Sequence, residues 1–149
     1  MTRNAPLQTQ LDRTMKIVVV TSTFPPYRAG ISHAAFYESR ELARLGHSVT
    51  VVTPRYSKLA FPSGWTDSPE VTVRRLPPLF ETGNAAICSG LANALAGADA
   101  ILLHYPLFGV GDAVMLRQLV QSRDRRPRLV LRYDLDTVGA GWQRPIFLL

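Results

Sequence analysis

Four groups of residues able to do chemistry follow short apolar runs in this 149-residue chain. Residues 21–30 supply hydroxyls, Tyr27, Arg28 and Gly30; residues 53–56 supply Thr53 and Tyr56. Residues 104–111 supply His104, Tyr105 and a Gly-flanked helix start. Residues 132–136 supply Arg132, Asp134 and Asp136. A helix beginning at Gly30 would aim free N–H groups forward, the arrangement that favours phosphate. His104 with Asp134 and Asp136 could hold a metal, but three scattered hard ligands are a weak pattern. Polar residues capping loops is the plainer reading, and no metal is expected. His33 and His47 read as surface or capping residues. Ser22 and Ser32 lack the Gly-x-Ser-x-Gly elbow of a nucleophilic serine. Three spaced glycines do not follow the first apolar run, and no Gly-Lys-Ser/Thr occurs. The dinucleotide fingerprint and the P-loop are therefore both absent.

These groups need a scaffold that brings them to one edge. Ile17 to Val20 form an unbroken apolar run, as a strand covered on both faces would. Pro25 and Pro26 stop it. A helix is predicted over residues 31–45, with Ile31, Ala34, Ala35, Leu42 and Leu45 as its apolar face. Glu38, Glu41 and Arg44 are expected off that face. Ser32 or Gly30 is expected to cap the start, and Gly46 to end the helix. Further strands are predicted over 48–53, 71–76, 100–104 and 129–133. The alternation at 71–76 suggests a sheet edge. Helices are predicted over 84–96 and 112–120. Residues 55–69 show no period and read as a long loop tucking Phe61 and Trp65 onto the core, with a substrate-facing flap as the alternative. The alternation of strands and helices predicts an α/β fold: a Rossmann-like, doubly wound parallel sheet. Its C-terminal edge should gather the four groups into one cleft.

Composition adds limits. The chain is large enough for one core, and no apolar run is long enough to span a bilayer as a helix. Residues 1–14 are polar, read as a flexible leader, and lack the apolar centre of a secretory signal. The single cysteine, Cys88, excludes a disulfide within the chain and a Cys-based metal site. A cytoplasmic location is expected. The net charge is +6, carried by 15 Arg and 2 Lys. It suits an anionic partner, or simply reflects an Arg-preferring composition. Nucleic acid is the weakest of the anionic partners, because no recognised binding motif is present. Residues 137–149 look like the opening of a further amphipathic helix, so the chain reads as a half, truncated or in need of a partner.

Residues 16–31, Lys-Ile-Val-Val-Val-Thr-Ser-Thr-Phe-Pro-Pro-Tyr-Arg-Ala-Gly-Ile, and 41–54, Glu-Leu-Ala-Arg-Leu-Gly-His-Ser-Val-Thr-Val-Val-Thr-Pro, carry a resemblance. They resemble the N-terminal, acceptor-side domain of GT-B glycosyltransferases of the retaining family 4 type. Residues 100–106 and 128–134 look like that domain's later strands, so the resemblance covers residues 15–149. It implies one half of a GT-B fold, with the C-terminal donor domain on another segment or a complementary subunit. It implies transfer from a nucleotide-diphosphate sugar to a glycan, lipid or small-molecule acceptor, with no metal and no tightly bound cofactor. By resemblance, Ala29, Gly30 and Ile31 lie on the donor-phosphate side, where the family usually has Gly-Gly. Tyr27, His104, Tyr105, Arg132 and Asp136 line the acceptor side. Asp134 takes the reaction-centre position where many members carry His. Peripheral contact with the inner face of a membrane is a family habit. The alternatives are a non-catalytic nucleotide- or phosphate-binding module and a structural partner subunit.

Overall fold

The computed structural model describes residues 14–57, 61–83 and 85–134. Five parallel strands form the main sheet: β1 (Lys16–Val20), β2 (Ser48–Pro54), β3 (Thr72–Leu76), β6 (Ala100–Tyr105) and β7 (Arg128–Tyr133). Their order across the sheet is β3-β2-β1-β6-β7. β4 (Pro78–Thr82) and β5 (Ala85–Cys88) form a separate antiparallel hairpin. The helices are α1 (Gly30–Arg44), α2 (Leu91–Ala94) and α3 (Val110–Val120), and a 3-10 turn spans Arg123–Arg125. The parallel sheet with flanking helices is the α/β, Rossmann-like architecture expected from the alternation of elements.

The two faces of β1 explain its continuous apolar run. Ile17 and Val19 join Val49, Val51, Phe24, Ala35 and Val71 on the side that α1 covers. Val18 and Val20 join Val52, Ile101, Leu103, Val110 and Val114 on the α3 side. Successive residues of a strand point to opposite faces, so a strand buried on both must be apolar throughout. β3 is an edge strand, as its alternation suggests.

Helix α1 differs from the expected pattern in two ways. Its buried residues are Ser32, Ala35 and Ser39, while Leu45 is exposed. The serines are tolerated inside because each hydroxyl donates to a carbonyl, Ser32 to Tyr27 and Ser39 to Ala35. Ser32 is therefore not the cap. Ala29 is the cap residue, in extended conformation and without a side-chain hydrogen bond.

The predicted helix over 84–96 is not formed. Residues 85–88 pair antiparallel with 78–82, and only one helical turn, α2, follows. Gly90 adopts φ 77, a left-handed conformation that cannot sit inside a helix. Phe80 and Ile87 face each other across the hairpin, so the apolar spacing served a strand pair. The hairpin is pinned to the segment just before α3: Ala86 N–H donates to the Phe108 carbonyl, and Ala86 bridges Gly109.

Candidate functional site

Parallel strands deliver their C-terminal ends to one edge. In the observed order the chain reverses direction between β1 and β6, the switch point at which ligands bind in open α/β sheets. The segments after these two strands, 21–30 and 106–109, flank it. Thr53 Oγ donates to the Ser22 carbonyl at 3.3 Å, and Asp134 N–H to the Tyr105 carbonyl at 2.9 Å. The described residues of all four groups thus reach the same edge.

Their side chains do not form one cluster. His104, Arg132 and Asp134 come together beneath α1, with a residue from the helix itself, Glu38. His104 is fully buried, and its Nδ1 lies 2.8 Å from Asp134 Oδ2. Arg132 Nε donates to Asp134 Oδ1 at 2.7 Å. The Arg132 guanidinium also pairs with Glu38 Oε1. His104 Nε2 approaches Glu38 Oε2 at 3.2 Å, an ion-pair distance without hydrogen-bond alignment, so both atoms are buried with no hydrogen bond. The Asp134 side chain is 8% exposed and engages both of its oxygens. The network ties α1 to β6 and β7, and fixes the helix over the strand ends.

Glu38 was expected off the apolar face, and this is corrected. At about 100° per residue it falls between Leu45 and Ile31 around the helix, within the predicted apolar stripe, and in the structure it sits half-buried beside the face formed by Ser32, Ala35 and Ser39. An acid in the middle of an apolar stripe was the available signal that something cationic would meet it.

The remaining site candidates lie elsewhere. Tyr105 stacks on Tyr133, with centroids 6.0 Å apart. It neighbours His104 on the strand and so points to the opposite face. Tyr27 packs edge-on against Phe61 at 5.7 Å, on the outer side of α1. Ala29 and Gly30 are exposed and Ile31 half-buried, at a helix start with no acidic residue in its first turn. A Cβ on Gly30 would meet nothing within 4 Å, so folding does not require glycine there. Asp136 lies outside the described residues. Among the described residues no group of His, Cys, Asp and Glu has the geometry to hold a metal ion. Burial pushes the Cys88 thiol up to about 11, which leaves little thiolate at neutral pH.

The long loop is built around one ion pair. Arg75 meets Asp67 in a two-point contact of 2.6 and 2.8 Å, and also donates to the Pro25 carbonyl at 2.6 Å. Its guanidinium lies 4.8 Å from the Phe61 ring centre. Arg75, and secondarily the Trp65 indole N–H, hold the Asp67 carboxyl below its ordinary 3.8. A carboxyl lowered on folding stabilises above its unfolded value, and that contribution is lost as pH falls through the lower folded value. Asp67→Asn is therefore expected to lower stability at pH 7 by up to about 1 kcal/mol, since the pair is partly exposed. The melting difference from the unsubstituted chain should vanish toward pH 2; thermal melts across that range check it.

The family model described as a glycosyl transferase 4-like domain matches residues 29–149, about four fifths of the chain. The chain belongs to this family. The match supports the α/β sheet of this glycosyl transferase 4-like domain as the Rossmann-like half of a GT-B fold. Residues 16–28, with the first strand and its Pro-Pro loop, precede the matched segment. No curated protein and no solved structure gives a significant match to the chain. Among the described residues no helix is long and apolar enough to cross a membrane.

Proposed function

We propose that this domain is the acceptor-binding half of a glycosyltransferase that moves a sugar from a nucleotide-diphosphate sugar to a glycan, lipid or small-molecule acceptor. The observation carrying this reading is the family match laid over a parallel sheet whose switch point opens at the C-terminal edge. Transfer needs a positioned donor, stabilisation of the leaving phosphate and an oriented acceptor hydroxyl. This half contributes the third and part of the second. The uncapped start of α1, at Ala29, Gly30 and Ile31, offers backbone N–H groups to the leaving phosphate. The network of Glu38, His104, Arg132 and Asp134 is given a positioning role, holding α1 and the ends of β6 and β7 in register. Most of the donor is held by a second domain or a partner subunit, and no metal is needed.

The open helix start also favours a second reading, a nucleotide- or phosphate-binding module without catalysis. Titration of the 149-residue chain with UDP- and GDP-sugars separates the two. The acceptor-half reading expects binding weaker than millimolar and no sugar transfer by the chain alone. Submillimolar binding of a nucleotide-sugar without turnover supports the module instead. Transfer catalysed by the chain alone overturns the assignment of most donor contacts to a second domain.

A further inference from the structure

A groove of about 250 Å³ runs along the outer side of α1, between that helix and the long loop. Tyr27, Phe36, Tyr37 and Trp65 line it, with Arg28 and His33 and the Pro25-Pro26 step. Tyr37 and Trp65 are 59% and 42% exposed, so large ring surfaces stand open to solvent. The rings are braced from behind. Tyr37 packs edge-on against Phe36 at 5.4 Å, and Phe36 against Phe24 at 6.0 Å. Trp65 Nε1–H donates to Asp67 Oδ1 at 3.2 Å, and Asp67 is itself clamped by Arg75. The groove is thus preformed, which limits the ordering cost of binding.

Its electrostatics are one-sided. No Asp or Glu lines the groove. Arg40 sits over Phe36 at 5.2 Å, but is neutralised by Glu70. Arg28 and His33 are exposed and enter no ion pair among the described residues. An aromatic floor with a cationic rim matches a ligand with a flat C–H face and one negative charge. A sugar ring supplies the face, and its C–H groups seat on aromatic rings. The groove lies just below the usual range of small-molecule pockets, about 300–1,000 Å³, so it suits one ring and not an extended chain. A guanidinium matches a carboxylate in a planar two-point contact.

We infer that the groove seats one uronate residue of the acceptor, its ring on Trp65 and Tyr37 and its carboxylate on Arg28. This rests on the acceptor-half reading and names the class of acceptor it takes. The probes are methyl glucuronide, methyl glucoside and glucose 6-phosphate, titrated into the 149-residue chain with ligand-observed NMR. Methyl glucuronide should bind about tenfold more tightly than methyl glucoside, which differs only at C6. Arg28→Ala should erase that difference. Trp65→Ala should weaken both glycosides about tenfold. Both positions are exposed, and unchanged melting confirms that the variants fold. Equal affinity for the two glycosides, no glucuronide binding, or preference for glucose 6-phosphate overturns the inference. Glucuronide binding that neither variant alters also overturns it, while leaving the acceptor-half reading intact. That reading falls separately, if the chain binds nucleotide-sugars at submillimolar concentration without turnover.

Discussion

Asp134→Ala is expected to lower the stability of the domain by roughly 3 kcal/mol, because removing this nearly buried carboxylate strands the fully buried His104 beside it. Both carboxylate oxygens are in use: Oδ2 faces His104 Nδ1 at 2.8 Å and Oδ1 accepts from Arg132 Nε at 2.7 Å. Without them the fully buried imidazole loses its one hydrogen bond among the described residues, and Arg132 keeps only Glu38. For a domain of this size the melting temperature should fall by about 10 °C. Asp134→Asn should fall between, since an amide oxygen can replace one acceptor but not the charge. A double-mutant cycle with His104→Leu gives the stricter measurement. If the network acts as a unit, the two losses are not additive, and the coupling should exceed about 1 kcal/mol. Additive losses would show that Asp134 and His104 act independently. The same variants bear on function, since α1 carries the proposed phosphate-facing start at one end and Glu38 in its middle.

Gly109→Ala should cost a comparable amount, roughly 3 kcal/mol, for an entirely different reason. Gly109 has φ 84, which side-chain-bearing residues rarely adopt. A Cβ there would lie 2.1 Å from the Ala86 carbonyl oxygen and 2.7 Å from its carbon. Both atoms are backbone, so no side chain can swing away. The hairpin of β4 and β5 would have to lift from the start of α3, breaking the Ala86–Phe108 hydrogen bond. Chemical denaturation should show a lower midpoint, and hydrogen exchange should speed first at residues 85–88. A Gly109→Ala chain that melts with the unsubstituted one would mean that the hairpin is not docked as described. Gly30 makes the contrast: a Cβ there meets nothing, so its glycine is not demanded by packing.

Much of the architecture was legible along the chain, because it rests on local patterns. The run 17–20 announced a strand buried on both faces, and the alternation at 71–76 announced an edge strand. The Pro25-Pro26 pair announced the loop after β1, and Gly46, at φ 88, marked the end of α1. The helix predicted over 84–96, and the unannounced strand over 78–82, differ where local signals compete. Ile87, Leu91 and Leu95 keep helical spacing, but Ile87 pairs with Phe80, and that partner is known only once the hairpin forms. Helical period puts Glu38 within the predicted apolar stripe, but the face that packing buries is Ser32, Ala35 and Ser39, and Glu38 sits half-buried beside it.

The site divides along the same line. The amino-acid order determined which residues reach the C-terminal edge, because parallel strands deliver their ends together whatever their side chains do. It also determined the family, through a match spanning residues 29–149. Only the tertiary structure decided how those residues group. His104, Arg132 and Asp134 turn under α1 to meet Glu38, Tyr105 turns to the other face, and Tyr27 joins a ring cluster with Phe61 and the long loop. Strand alternation sets which face a side chain takes. What waits there depends on helix and loop packing across dozens of residues, which no local pattern encodes.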